Sequence, residues 1–169
     1  GDPVLVMLPR VPAWQAAIVG GLKLGALVIP CTASLRAKDI RYRATHSGAR
    51  AIITTVDQIP EVDAALADVP GVTVRLALGG APAGWRDLDA TLAQAAASGA
   101  PARTRSDEPA LCFYTSGTTK DPKAVLHTHA YTDKTTTTQR PTNIKKKNHK
   151  PNPTQPPAPL TTLPPSVKK

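Results

Sequence analysis

The sequence predicts an α/β fold, a partial doubly wound sheet with helices on both faces, followed by a disordered C-terminal tail. Three observations lead there. Over the first 115 residues, short apolar runs alternate with segments whose apolar residues recur at helical spacing. Proline or glycine closes most of these segments. Beyond residue 132 the apolar periodicity stops and the composition changes abruptly. Apolar strands alternating with helices make a parallel sheet that is covered on both faces.

The elements follow in order. Val4-Leu5-Val6-Met7-Leu8 reads as a buried strand stopped by Pro9. Pro12 stands where a helix can begin without its N–H, and residues 14–24 follow with Ala, Ile, Val and Leu at helical spacing. Leu27-Val28-Ile29 is the next strand, closed by Pro30. Residues 37–47 form an Arg-rich amphipathic helix, and Gly48 can supply the left-handed residue past its end. Residues 50–55 are a strand, 58–67 a helix and 72–78 a strand. Residues 88–98 form an alanine-rich helix followed by Gly99, and 110–115 the last strand. Ligands of such sheets bind beyond the carboxyl ends of the strands, so functional residues are expected just after one.

The charge divides the chain at the same place. The formal net charge is +9, but residues 1–132 carry 13 basic and 11 acidic side chains while residues 133–169 carry 8 basic and 1 acidic. The basic excess is therefore a property of the tail. Lys, Asn, Thr, Gln, His and Pro supply 29 of those last 37 residues but only 32 of the first 132. Ile144, Leu160, Leu163 and Val167 are scattered there without an aromatic residue. Such a segment cannot bury enough apolar surface to offset an ordering cost of about 1–2 kcal/mol per residue for the backbone alone, which predicts disorder.

Several classes are excluded. No apolar run approaches the roughly 20 residues of a membrane span. No charged leader with a long apolar core opens the sequence, which begins at Gly1. Cys31 and Cys112, about eighty positions apart, make neither a disulfide framework nor a zinc ribbon. A reduced, cytoplasmic protein is the expectation.

The most unusual segment follows the last strand. Thr115-Ser116-Gly117-Thr118-Thr119-Lys120-Asp121-Pro122-Lys123 sets four hydroxyls and a glycine before two lysines. Gly117 lets backbone N–H groups converge on an anion, the hydroxyls add neutral donors, and a lysine supplies a point charge. Those are the residue types of a loop that holds a polyphosphate. A plain polar surface loop is the bland alternative, and the ordered string directly after a buried strand argues against it. The segment is not a Walker A loop, because Pro122 precedes Lys123 and Ala124 follows it. This disfavours a P-loop NTPase. Gly20-Gly21-Leu22-Lys23-Leu24-Gly25 lies inside a helical pattern, so its small residues are expected to serve close helix–sheet packing rather than a dinucleotide.

Tyr114-Thr115-Ser116-Gly117-Thr118-Thr119-Lys120-Asp121-Pro122-Lys123 closely resembles the signature loop of the adenylate-forming (AMP-binding) enzymes, among them acyl-CoA synthetases, luciferases and peptide-synthetase adenylation domains. Gly1-Asp2-Pro3-Val4, Leu8-Pro9, Gly21-Leu22-Lys23-Leu24-Gly25-Ala26 and Ile29-Pro30 look like that family's upstream region. Asp39-Ile40-Arg41-Tyr42-Arg43 and Val125-Leu126-His127-Thr128-His129 look most like acyl-CoA synthetases of the medium-chain or aromatic-acid kind. The resemblance covers residues 1 to about 132. It implies a two-step ligase that uses ATP, Mg2+ and coenzyme A: a carboxylic acid attacks the α-phosphate to give an acyl-adenylate and diphosphate, and the thiol of coenzyme A then displaces AMP. By position it makes Thr115, Ser116, Gly117, Thr118 and Thr119 contacts of the β- and γ-phosphates. Lys123 becomes the catalytic cation that neutralises the leaving diphosphate.

Lys120 stands where that family usually has glycine, and Ala124 where glycine or methionine is common. The family's later adenine, ribose, magnesium and hinge segments have no counterpart after Thr132. The chain is therefore expected to be part of an N-terminal domain, begun inside it, with an edge and apolar faces that the missing segments would cover. It is not expected to catalyse adenylation alone.

Other candidates receive structural expectations. His127 and His129 could bind a metal but have no carboxylate or cysteine cluster beside them, so no metal site is expected. His46 near a helix end suggests a dipole contact, and His149 a solvated side chain. Asp107 and Glu108 are expected to face solvent, Arg36, Arg41, Arg43 and Arg50 to form a solvated basic face, and Cys31 and Cys112 to act as small buried hydrophobes. The rival reading from another class is a non-enzymatic module whose Lys145-Lys146-Lys147 and Lys168-Lys169 contact nucleic acid or anionic surfaces. It lacks aromatic residues for base stacking, so no specific nucleic acid is expected as a partner.

The six amino acids that dominate the tail are those the genetic code can write with A and C alone, which suggests translation from A/C-rich or frame-shifted DNA. The other two frames of the nucleotides encoding residues 133–169 are then expected to continue the strand–helix pattern. Finding no continuation in either frame would count against a shift.

Overall fold

The computed structural model describes residues 1–96, 99–115 and 121–134, with backbone alone at 132–134. The chain runs β1 (Pro3–Val6), α1 (Pro12–Lys23), β2 (Leu27–Pro30), α2 (Ala37–Ser47), β3 (Ala51–Thr55), a 3-10 turn (Val56–Gln58), α3 (Ile59–Leu66), β4 (Val74–Leu78), β5 (Arg86–Asp87), α4 (Leu88–Gln94), β6 (Pro109–Thr115), β7 (Lys123–Thr128) and α5 (His129–Lys134). Seven strands form one sheet in the order β5-β4-β3-β1-β2-β6-β7. Every neighbouring pair is parallel except the last, where β7 returns antiparallel to β6.

Alternation along the strands builds two cores. Leu5 of β1 and Met7 just past its end join Ile29 of β2, Ile52 of β3, and Ile40, Ala44, Val62 and Ala65 of α2 and α3. Val6 and Leu8 turn to the other face with Val28 and Ile53, where Trp14, Ala17, Ile18 and Leu22 of α1 and Leu88 of α4 cover them. Successive side chains of a strand point to opposite faces, so a run that is apolar throughout demands cover on both. This is the doubly wound layer expected from the sequence.

The helix ends are satisfied locally and by each other. Pro12 opens α1. Gly48 closes α2 in the left-handed region at φ 66°. The Asp87 side chain accepts from the Ala90 N–H and caps α4. The Ala37 N–H at the start of α2 donates to Glu61 Oε1 of α3 at 2.6 Å. In return, Arg41 of α2 donates to the carbonyls of Ala65 (3.1 Å) and Ala64 (2.9 Å) in the last turn of α3. Each helix thus supplies the other's missing terminal partners.

Several boundaries depart from the sequence reading. Strand pairing in β1 ends at Val6, although Met7 and Leu8 stay buried. Of the helix expected over 58–67, α3 takes Ile59–Leu66, while Gln58 closes a 3-10 turn that begins earlier, at Val56. The helix expected over 88–98 stops at Gln94, where Ala95 turns extended at ψ 140°. Its residues after Leu88 are mostly exposed, and helix propensity without a packed face does not hold a short helix together. The pair β5 and the elements β7 and α5 were not read as elements: β5 is two polar residues and α5 six, too short for periodicity to register. Helix α5 also takes in residues 133 and 134, the first two of the expected tail; residues 135–169, His149 and the lysines of the tail among them, lie outside the described residues. Among the described residues no helix is long and apolar enough to cross a membrane.

The glycine pair in α1 separates packing from propensity. A Cβ on Gly21 would lie 2.6 Å from Cγ2 of the buried Val28, whereas one on Gly20 meets nothing within 4 Å. Gly21→Ala is expected to destabilise the chain by about 1–2 kcal/mol, overpacking outweighing the gain in helix propensity. Gly20→Ala should stabilise it by up to about 1 kcal/mol. Urea unfolding of both variants checks the opposite signs.

Candidate functional site

Strand β6 lies parallel to β2, so its last residue, Thr115, stands at the carboxyl edge of the parallel sheet. Strand β7 begins at Lys123 and pairs with β6 in the register Thr115↔Lys123, Tyr114↔Ala124, Phe113↔Val125. Directly opposite residues of an antiparallel pair have Cα atoms about 4.5–5.5 Å apart and side chains on the same face. The hairpin therefore brings together Thr115 and Lys123, the first and last of the expected phosphate contacts. The Thr115 hydroxyl donates to the Lys123 carbonyl at 3.4 Å. Both residues are exposed, and no ion pair engages Lys123 among the described residues. Ser116, Gly117, Thr118, Thr119 and Lys120 lie outside the described residues.

Alternation gives the hairpin two unlike faces. Tyr114 and Ala124 turn toward the core beneath α2. Thr115 and Lys123 share the other face with Phe113, Val125 and His127, of which Phe113 and Val125 are 41% and 42% exposed. His127 packs edge-on against the Phe113 ring at 5.5 Å and beside the Tyr131 ring at 4.5 Å. Among the described residues no group of three His, Cys, Asp or Glu side chains could hold a metal ion. His127 thus lies among the rings of the hairpin and α5, while His129 opens α5 and its backbone N–H donates to the Glu108 carbonyl at 3.1 Å.

On the core side lies a cluster that the sequence reading missed. His46 Nδ1 and the Tyr114 hydroxyl are 2.8 Å apart. The Tyr42 ring stacks on His46 at 5.5 Å and 20°, and both meet the Tyr114 ring edge-on. The Arg43 guanidinium lies 5.4 Å from the centroid of that ring, a cation–π contact. The Tyr42 hydroxyl donates to the Pro122 carbonyl at 3.1 Å. Burial pushes the Tyr114 phenol up; burial first, then the charge of Asp121, also raises that of Tyr42, with Arg43 opposing in both. Both hydroxyls therefore keep their protons at neutral pH. Tyr42 and His46 also border an open depression of about 410 Å³ with Lys38, Arg41 and Thr45.

These contacts add to one expectation and correct another. His46 stands in the last turn of α2, where a dipole contact is expected, and also meets a hydroxyl on a strand 68 positions away. The arginines of α2 are not simply a solvated face: Arg41 caps α3, and the Arg43 side chain is only 12% exposed. Helix spacing made Tyr42 and His46 visible as neighbours one turn apart, but nothing local pointed to their partners. Asp107 is exposed and paired with Arg105 at 3.0 Å, and Glu108 is exposed as well. Cys112 is fully buried, while Cys31 is partly exposed and its thiol donates to the Ile29 carbonyl at 3.5 Å.

The family model for AMP-binding enzymes matches residues 1–164. The chain belongs to the AMP-binding enzyme family. Among curated members, mouse (Mus musculus) acyl-coenzyme A synthetase ACSM3, mitochondrial, is 38% identical over 131 residues, 77% of this chain and 23% of that protein. Mouse acyl-coenzyme A synthetase ACSM1, mitochondrial, is 35% identical over 128 residues, 75% of this chain and 22% of that protein. An acyl-CoA synthetase of Brucella canis superposes with TM-score 0.67 at 28% identity, over 76% of this chain and 23% of the other. A benzoate CoA ligase of Burkholderia xenovorans LB400 does so with TM-score 0.63 at 27%, over 76% and 24%. This AMP-binding chain thus spans little more than a fifth of the length of the curated relatives it matches. The match lies in their N-terminal, mixed α/β part, the fold expected from the sequence.

The thiol nearest the site offers this family member no nucleophile. Burial pushes Cys112 up to about 11, so it stays a neutral thiol throughout the neutral range. A neutral thiol favoured by folding contributes stability that is complete below the unfolded value near 9 and is lost as pH rises through about 11. Denaturation midpoints across about pH 8–11, compared with those of Cys112→Ala, check this.

Proposed function

We propose that the chain carries the diphosphate-holding hairpin of an ATP-dependent acyl-CoA synthetase. One observation carries the reading: the β6–β7 hairpin sets Thr115 directly opposite Lys123, both exposed, at the carboxyl edge of the sheet. Membership of the AMP-binding family and the acyl-CoA synthetases among the relatives support it. In the reaction a carboxylate oxygen bonds to the α-phosphorus of ATP while the bond to the bridging oxygen breaks, releasing diphosphate. The coenzyme A thiol then attacks the acyl carbon, AMP leaves, and the thiol proton goes to solvent.

The residues of this chain act on the first of these events. Lys123 is proposed to lie against the β- and γ-phosphates and to oppose the charge that grows on the departing diphosphate, a task of positioning and electrostatics. Thr115 adds a hydroxyl donor, and Ser116, Gly117, Thr118 and Thr119 are proposed to complete the contact. The exposed cation and hydroxyl fit the phosphates of ATP. The described residues offer no carboxylate cluster for Mg2+, so no step is assigned through it. Coenzyme A and the carboxylic acid are proposed to be held by parts of the ligase beyond the segment these residues match. Residues 1–132 are proposed as the ligase part and 133–169 as a separate tail. The two free thiols fit a reducing compartment, the cytoplasm on the sequence reading.

The 169-residue chain is expected to bind ATP and inorganic diphosphate without catalysing adenylation. In calorimetric titration Lys123→Ala should weaken diphosphate binding about tenfold or more, the value of a charge-assisted hydrogen bond. Diphosphate binding that ignores Lys123→Ala would sink the assignment. Acid-dependent ATP–diphosphate exchange by the purified chain would refute its inactivity.

A further inference from the structure

The two described ends of the hairpin loop are held by something other than the hairpin. On β6, Tyr114 precedes Thr115, and its hydroxyl is bonded to His46. On the return side, Pro122 precedes Lys123, and its carbonyl accepts from Tyr42. Tyr42 and His46 are one turn apart on α2 and stacked on each other. A single turn of helix therefore grips the residue before each of the two side chains that face the phosphate.

The Pro122 contact bears most directly on Lys123. Proline has no N–H to donate, and Pro122 lies just outside the ladder, whose last pair is Thr115↔Lys123. Its carbonyl belongs to the same rigid peptide plane as the Lys123 nitrogen, so fixing that oxygen fixes where the Lys123 backbone enters β7. The Tyr42 ring would pack equally well as phenylalanine. What its hydroxyl adds is this one bond, across 80 positions of sequence. The raised position of the phenol keeps it a donor throughout the neutral range.

We infer that Tyr42 is a positioning residue for Lys123: its hydroxyl, through the Pro122 carbonyl, holds the lysine in register with Thr115 to meet a polyphosphate, while His46 and Arg43 hold Tyr114 on the opposite strand. A group held in place before binding loses less freedom when the anion arrives. The inference rests on the phosphate-holding reading above.

Tyr42→Phe keeps the ring and removes only the hydroxyl. Two measurements on the full chain separate the possibilities: backbone amide hydrogen exchange at residues 113–115 and 123–125, and titration with inorganic diphosphate. Tyr42→Phe is expected to speed exchange at those residues about fivefold, with β1 and β3 unchanged and the melting temperature as in wild type. It should weaken diphosphate binding by a similar factor, on the scale of one hydrogen bond. In a Lys123→Ala chain the same substitution should cost no further affinity, because Tyr42 acts through that lysine. Wild-type binding that is unaltered by Tyr42→Phe overturns the positioning role and leaves the phosphate reading standing. Equal losses with and without Lys123 overturn it as well. If wild type fails to bind diphosphate while exchange still responds, the phosphate reading falls and the positioning role falls with it.

Discussion

Burial of β1 from both sides sets the place of everything around it. Leu5 and Met7 cannot exchange with Val6 and Leu8 without turning each set toward the wrong layer, so the register of β1 with β2 and β3 is fixed by the packing of both faces. Strand β6 inherits that register through β2. Because its side chains alternate, Tyr114 must turn to α2 when Leu111 turns to the opposite layer, and Thr115 then emerges on the Leu111 side. A slip of one residue along β6 would bury the hydroxyl and expose the phenol. The chemistry at the loop thus depends on an apolar pattern laid down more than a hundred residues earlier.

Much of this was legible in the chain itself. The apolar runs announced β1 to β4 and β6, Gly48 marked the end of α2 to the residue, and of the two glycines in α1 Gly21 serves the close helix–sheet packing expected of the run while Gly20 does not. The ordered string from Thr115 to Lys123 was enough to identify the family. Elements too short or too polar to show a period escaped, as β5 did, and the alanine-rich segment promised a longer helix than its contacts sustain. The cluster of Tyr42, Arg43, His46 and Tyr114 was hidden for a different reason. Aromatic and basic residues on a helix look solvated until a strand from a distant part of the chain arrives beside them.

Helices α2 and α3 show how polar contacts divide between structure and site. The bonds from Ala37 to Glu61 and from Arg41 to Ala64 and Ala65 satisfy terminal groups that would otherwise rely on water. The exposed ion pairs nearby, Arg36 with Glu61 and Arg41 with Asp68, add little by comparison, since surface pairs contribute about 0–1 kcal/mol. With its N-terminus held against α3, α2 presents its last turns to β6. A phenol and an imidazole on one turn thereby reach the residue before β7 and the end of β6.

The strand order has a consequence in time. Strand β2 ends at Pro30 with β1 on one side, yet its other neighbour, β6, does not begin until Pro109. On the ribosome, at roughly 5–20 residues per second, that edge of β2 waits about 4–16 s for its partner. Meanwhile β3 and β4 can join β1 on the far side, so the sheet grows first away from the loop. The nascent chain carries an unpaired apolar edge throughout that interval, and the hairpin proposed to meet phosphate is the last part of the sheet to be made.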